Sequence, residues 1–212
     1  MGKSIENIKK GTIRFTLRGV SPLCTHNWSE KARGMIRDKH AGKKTKSRDV
    51  RDPEAEWNAA HYRTLDGEPA VPAMAIKSSI ITASHKDIGI EKTLVKKALF
   101  LKIPNTEKGE TNLAIVSNVS PIRWDEEGGE KMVRVGMGTA DLRYRPIWTS
   151  WEVDVSLEVD FGQLTEDDVL KLVERAGFGV GIGEMRPEKG GELGRYEIAL
   201  DKGVEVTTVD KE

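Results

Sequence analysis

Thr149–Phe161 reads TSWEVDVSLEVDF, and its alternation decides what kind of core this chain builds. Trp151, Val153, Val155, Leu157 and Val159 alternate with polar residues. A period of two is that of a strand with one face against a core and one in water. Just beyond it, Thr165 precedes Glu166, Asp167 and Asp168, the pattern of a capped helix start with acids at the positive dipole end. Leu164, Val169, Leu170, Leu172 and Val173 supply that helix with an apolar face, and it is expected to run to about Ala176 and stop at Gly177.

Working outward, Thr12–Val20 (TIRFTLRGV) alternates in the same way and is ended by Ser21-Pro22. Asp52-Pro53-Glu54 reads as an N-cap, a first-turn proline and an acid at a helix start. Asp66-Gly67 marks a turn, and Val71-Pro72 opens a helix over AMAIKSSIITASHK, with Ala73, Ile76, Ile80 and Ala83 in helical period. Thr93–Ile103 is expected to form one or two strands. Leu113–Val119 and Lys131–Val135 are further strand candidates on either side of the acidic turn Asp125–Gly129, and Arg195–Leu200 is a closing strand. Without its inserts the order is βαββαβ, an α+β, ferredoxin-like arrangement. The expected organisation is one domain over 1–212, with a basic insert over 24–66, a strand-rich insert over 104–147 and an acidic tail over 203–212.

The chain has 34 basic and 34 acidic residues and a formal net charge of zero, yet the charges are not evenly spread. Between Lys31 and Arg51 there are nine Lys or Arg against Asp38 and Asp49. Such asymmetry focuses a positive field on one region of a neutral molecule. No run approaches the ~20 apolar residues of a membrane span, and the first residues lack the apolar core of a secretory signal. One cysteine, Cys24, excludes an intrachain disulfide and a cysteine-based zinc cluster. A cytoplasmic protein without membrane contact is expected. Cys24 lies two residues from His26, but a small, half-buried side chain is the expected role rather than a nucleophile.

Seven glycines fall within the eighteen positions from Gly177 to Gly194. Two readings stand. Gly179, Gly181 and Gly183 let backbone N–H groups approach a phosphate, with Arg186, Lys189 and Arg195 adding cations; or they serve only tight helix–strand packing. GFGVGIG follows a helix rather than a strand, so a dinucleotide site does not fit. DLRYRPIW (Asp141–Trp148) interleaves Arg143 and Arg145 with Tyr144 and Trp148, suited to phosphates and unpaired bases; the plainer alternative is an edge strand with Tyr144 in the core and both arginines solvated. Lys43, Lys44, Lys46 and Arg48 would add affinity for a polyanion through counterion release. Trp28 is expected to pack on the core.

Three segments together resemble the RAMP superfamily, the ferredoxin-like RNA-binding subunits of CRISPR systems. IRFTLRGVSPLCTHN is similar to the family's opening strand and its Pro-containing bend. GEPAVPAMAIKSSIITASH is similar to the segment where a proline introduces the first helix, followed by a lysine and small residues, here Pro72, Lys77, Ser78 and Ser79. Ala73 and Met74 stand where a glycine and a serine are common. GFGVGIGEMRPEKGGELGRYEI lies where the family places its glycine-rich RNA-contacting loop. GTADLRYRP, the GxGEMRP-type loop and the GRYE-type strand also resemble segments of uncharacterised bacteriophage proteins. The RAMP resemblance implies a RAMP/RRM-type core with a basic insert after the first strand, a bound single strand of RNA or DNA, and subunits repeated along it as a homo-oligomer; the likeness to bacteriophage proteins implies a phage-encoded chain.

No cofactor is called for. His26, His40, His61 and His85 form no HxxxH or HExxH pair, and no nucleophile elbow or Walker loop is present, so a binding protein rather than an enzyme is expected. Two alternatives remain: a phage protein–protein module, such as an assembly factor or an inhibitor of a host defence complex, and a metal-independent RNase using His85, by resemblance to relatives with a histidine near the first helix.

Overall fold

The computed structural model describes residues 7–28, 30–43, 50–135 and 138–208. Its elements in chain order are β1 (Lys10–Gly19), β2 (Leu23–Cys24), α1 (Glu30–His40), α2 (Pro53–Ala59), β3 (Tyr62–Arg63), β4 (Pro69–Pro72) and α3 (Ala73–Asp87). There follow α4 (Lys92–Ala98), β5 (Leu99–Leu101), β6 (Asn112–Ala114), β7 (Glu130–Val135) and β8 (Thr139–Tyr144). The chain ends with β9 (Ile147–Trp148), β10 (Glu152–Asp160), α5 (Glu166–Gly179), β11 (Tyr196–Ile198) and β12 (Glu205–Thr208). The class is α+β, with antiparallel pairing throughout.

The two alternating segments are neighbours at the centre of the main sheet, whose order is β11-β1-β10-β5. Their register sets Ile13 against Leu157, Phe15 against Val155 and Leu17 against Val153. All six side chains are buried in one cluster with Ile76, Ile80 and Ala83 of α3 and Val169, Leu172, Val173 and Ala176 of α5. Burying each large apolar side chain stabilises the fold by about 1.5–3 kcal/mol, so this layer carries much of the stability. On the other face the same register opposes Thr16 to Asp154 and Arg18 to Glu152. Thr16 Oγ1 donates to Asp154 at 2.7 Å, and Arg18 reaches Glu152 at 2.8 Å and Asp201 at 2.7 Å. That face is a lattice of ion pairs.

Several expectations change. Thr93–Ile103 holds a helix, α4, before the short β5, because Val95 and Ala98 bury one turn apart. Leu113–Val119 supplies only β6 and a single bridge from Val116 to Glu152. Part of the expected acidic tail, Glu205–Thr208, is a strand that continues the β11 edge along β1. The basic insert contains α1. Asp52 does cap α2, accepting from Ala55 N–H at 3.0 Å, and Thr165 and Asp168 form a capping box on α5. No helix among the described residues is long and apolar enough to cross a membrane.

Gly177 does not stop α5, which continues to Gly179. Its missing Cβ lets the helix lie against β11, where an added Cβ would fall 2.0 Å from the Tyr196 carbonyl oxygen. Both sides of that contact are backbone, which cannot rotate away. Gly177→Ala is expected to destabilise the protein by about 1–3 kcal/mol, read as a shift in the denaturant midpoint at unchanged slope.

Candidate polyanion-binding cleft

β7 and β8 form a hairpin separate from the main sheet, with Lys131 opposite Arg143 and Val133 opposite Asp141. Neighbours across a ladder share a face, so two cations stand side by side. Arg51, just before α2, anchors the hairpin by donating to Asp141 at 2.7 Å, to the Leu142 carbonyl at 2.7 Å and to Glu56 at 2.8 Å. After Tyr144 the chain passes through Arg145 into β9, which pairs with β2.

The stretch between α5 and β11 forms the opposite wall. It is pinned to β2 and the bend before it: Gly194 N–H donates to Pro22 O at 2.7 Å and Glu184 N–H to Cys24 O at 2.9 Å. Gly183 makes that approach possible, since a Cβ there would lie 2.4 Å from Cys24 O. Within the loop, Leu193 N–H returns to Met185 O at 2.9 Å. Met185 holds φ at 56°, a left-handed backbone that side chains other than glycine and asparagine rarely adopt. Such strain persists only where surrounding structure enforces it, and it concentrates at functional sites.

The two walls enclose a cleft of about 290 Å³ lined by Lys131, Val133, Arg143, Arg145, Glu184, Met185, Arg186 and Lys189. Five cations face one carboxylate there. Three of the cations are held by acids: Arg143 by Asp141 at 3.0 Å, Arg145 by Glu184 at 3.3 Å and Arg186 by Glu188 at 2.6 Å. Arg186 also donates to Gly183 O at 3.0 Å. Lys131 and Lys189 have no ion-pair partner among the described residues. The cleft therefore combines three oriented guanidinium groups with two ammonium groups whose charge is not cancelled, an arrangement that attracts anions.

Glu184 ties the walls together. Its Oε1 is 2.7 Å from His26 Nδ1, and its Oε2 accepts from Arg145 Nε. Burial raises its proton affinity, but the His26 hydrogen bond and the charges of His26 and Arg145 outweigh that and hold the carboxyl below its ordinary range. Tyr62 Oη donates to the His26 carbonyl at 2.9 Å, fixing this segment from behind. Cys24 is fully buried rather than half-buried, and burial followed by the charge of Glu184 pushes its thiol up to about 12. A thiol so disposed is not a nucleophile at neutral pH.

Of the residues the sequence singled out, Arg143, Arg145, Arg186 and Lys189 meet in this cleft. Arg145 is buried rather than solvated, and Tyr144 is half-buried with Arg51 5.6 Å from its ring rather than a core residue. Gly181 and Gly183 serve packing: at both, a Cβ would strike the protein's own chain, so they do not present open backbone to a ligand. Gly179, the last residue of α5, has open space around it. Lys77 lies elsewhere, with its Nζ 4.2 Å from the Phe100 ring centroid on the far edge strand β5. Arg195 faces Phe178 instead of lining the cleft. Lys43 is exposed and ion-paired with Asp38 at 2.8 Å; Lys44, Lys46 and Arg48 lie outside the described residues, as does the side chain of His85. Trp28 is 54% exposed, so it does not pack in the core. Sequence reasoning missed Lys131 and Glu184. The signal for Lys131 was the strand run Lys131–Val135 so close in sequence to Asp141–Tyr144, whose antiparallel register puts Lys131 beside Arg143.

No group of three or more His, Cys, Asp or Glu among the described residues is arranged to hold a metal ion. No protein-family model matches the chain, and no curated protein matches it. Because Arg145 is almost wholly buried and bonded to a half-buried carboxylate, Arg145→Ala is expected to cost about 1–3 kcal/mol. Arg143→Ala, half-buried on the hairpin and paired with a partly exposed acid, should cost under about 1 kcal/mol, so urea titrations of the two variants separate wall-tying from surface charge.

Proposed function

We propose that the protein binds single-stranded nucleic acid, RNA or DNA, through the cleft between the β7–β8 hairpin and the loop before β11. One observation carries this reading: cations from segments about forty residues apart in sequence converge there with two lysines left uncompensated. The cleft is short, so a strand must run beyond it. A cation cleft of this kind grips phosphates and is tolerant of sequence.

We further propose that the core is ferredoxin-like and a relative of the RAMP fold, phage-encoded, acting in the cytoplasm without a cofactor. The strand order β11-β1-β10-β5, with α3 after β1 and α5 after β10 and both packed on one face, supports that reading. The open face of β1 and β10 bears Thr, Arg, Ser, Asp and Glu and no aromatic side chain. Among the described residues the one exposed aromatic on that side of the sheet, Phe100, stands on the edge strand β5 opposite Glu158, so base stacking on the central strands, the RRM mode, is set aside in favour of the cleft. Assembly of copies along one strand follows from the same resemblance. The acids of the open face are engaged with Arg14, Arg18, Lys10 and Lys202, which weighs against that face as a docking surface for a basic partner protein.

Fluorescence anisotropy against single-stranded RNA, single-stranded DNA and duplex DNA over a salt series tests the reading. Single strands should bind with log affinity falling linearly in log salt. Replacing Lys131 and Lys189 by Ala should flatten the slope by about 1.4, since each phosphate contact to a single strand contributes ~0.7. An unchanged slope in the double variant would remove the cleft from the binding site.

A second reading, metal-independent cleavage of RNA, is favoured by a histidine other than His85. His26 is oriented by Glu184, a lining residue of the cleft, and is part-exposed at 27% of its side chain. An imidazole so placed beside bound phosphates could exchange a proton with the 2′-hydroxyl or the leaving oxygen. Labelled RNA should then shorten in the presence of EDTA while its 2′-deoxy counterpart stays intact, and His26→Ala should abolish the cleavage. Intact RNA after prolonged incubation leaves the binding function alone.

A further inference from the structure

Phe178 sits in the last turn of α5, two residues before the cleft loop begins, and is 69% exposed. Single exposed apolar side chains are common and need no explanation. Two exposed rings carry a cation alongside, Phe100 with Lys77 and Phe178 with Arg195, and Phe178 alone of the two adjoins the cleft loop. Arg195 places its guanidinium carbon 5.0 Å from the Phe178 ring centroid. The Arg195 main chain is anchored: its N–H donates to Ser21 Oγ at 3.0 Å, and its carbonyl accepts from Val20 N–H at 3.0 Å. Its Nε is buried without a hydrogen-bond partner, so the guanidinium gives up a hydrogen bond in the position it takes beside the ring. The next residue, Gly179, adds no side chain and has open space where a Cβ would stand.

The chain just after the ring is tied to the cleft wall. The Val180 carbonyl accepts from Glu188 N–H at 3.2 Å, within the turn that carries Arg186 and Lys189. Gly177, on the other side of Phe178, is locked against Tyr196. An exposed aromatic ring with a cation on one side offers its remaining surface to another flat π system. Unpaired nucleobases are such partners, and stacking on them is tolerant of sequence.

We propose that Phe178, backed by Arg195, is a base-stacking platform that takes a nucleobase of the strand whose phosphates occupy the cleft. The inference rests on the nucleic-acid reading above and adds the recognition of bases to that of charge.

The test compares two labelled ligands of equal length and charge, an oligothymidylate and an abasic oligodeoxynucleotide. Wild type should bind the oligothymidylate more tightly. Phe178→Ala should weaken oligothymidylate binding by about five- to hundredfold and leave abasic binding unchanged, Phe178→Leu should behave like Ala, and Phe178→Trp should retain wild-type affinity. Equal loss on both ligands, or no loss on either, overturns the platform while leaving the cleft reading intact. Failure of wild type to bind either ligand or single-stranded RNA removes the cleft reading and the platform together; where RNA alone binds, the same Phe178 series is read on oligouridylate against its abasic counterpart.

Discussion

The two walls of the basic cleft are held at one separation by a single short stretch of chain, Leu23–His26. On one side it pairs with β9, which fixes the end of the hairpin and Arg145. On the other it accepts the Glu184 N–H at the Cys24 carbonyl, so close that only a glycine fits before it. Its last residue, His26, then bonds the same glutamate through the side chain. Backbone and side chain thus act on Glu184 from one strand, and Arg145 completes the link across the cleft. Without this stretch the cations of the hairpin would lose their tie to those of the loop.

The balance of charge within the cleft follows from that frame. Crowding five like charges is costly unless each is paired or solvated. The buried Arg145 has Glu184 and the partly exposed Arg143 and Arg186 have Asp141 and Glu188, while both side chains without an acid are lysines. An ammonium on a flexible stem is readily hydrated and can move to meet a ligand, whereas a guanidinium held by a carboxylate is already oriented. The left-handed Met185 fits the same picture, since its carbonyl is tied back to Leu193 and the loop has no freedom to relax it. The wall is preorganised, which lowers the ordering cost of binding.

The main sheet supports this frame from beneath. Its buried face is conventional apolar packing, while its open face is closed by cross-strand ion pairs such as Arg18 with Glu152 and Asp201. A neutral chain can therefore present opposite electrostatic characters in two places: self-compensated on the sheet, under-compensated in the cleft. Overall net charge says little about either.

Local sequence by itself determined the elements whose physics is local. Alternation set β1 and β10 and their buried faces, Asp52 and Thr165 set helix starts through their own side chains, and Pro72 set the entry to α3. Arg143, Arg145, Arg186 and Lys189 were also legible, as cations beside aromatics and glycines. Tertiary structure alone decided the rest. Gly177 looked like a stop and is a contact, because whether a missing Cβ ends a helix or admits a neighbour depends on what lies opposite. Thr93–Ala98 contains a short apolar pattern that fits strand or helix, and packing beside α3 chose the helix. Gly181 and Gly183 were reserved for the protein's own chain rather than a ligand, while Lys131, Glu184 and His26 joined the site through register and a strut. Pairing between distant segments is set by which surfaces meet, and no window along the chain contains that information.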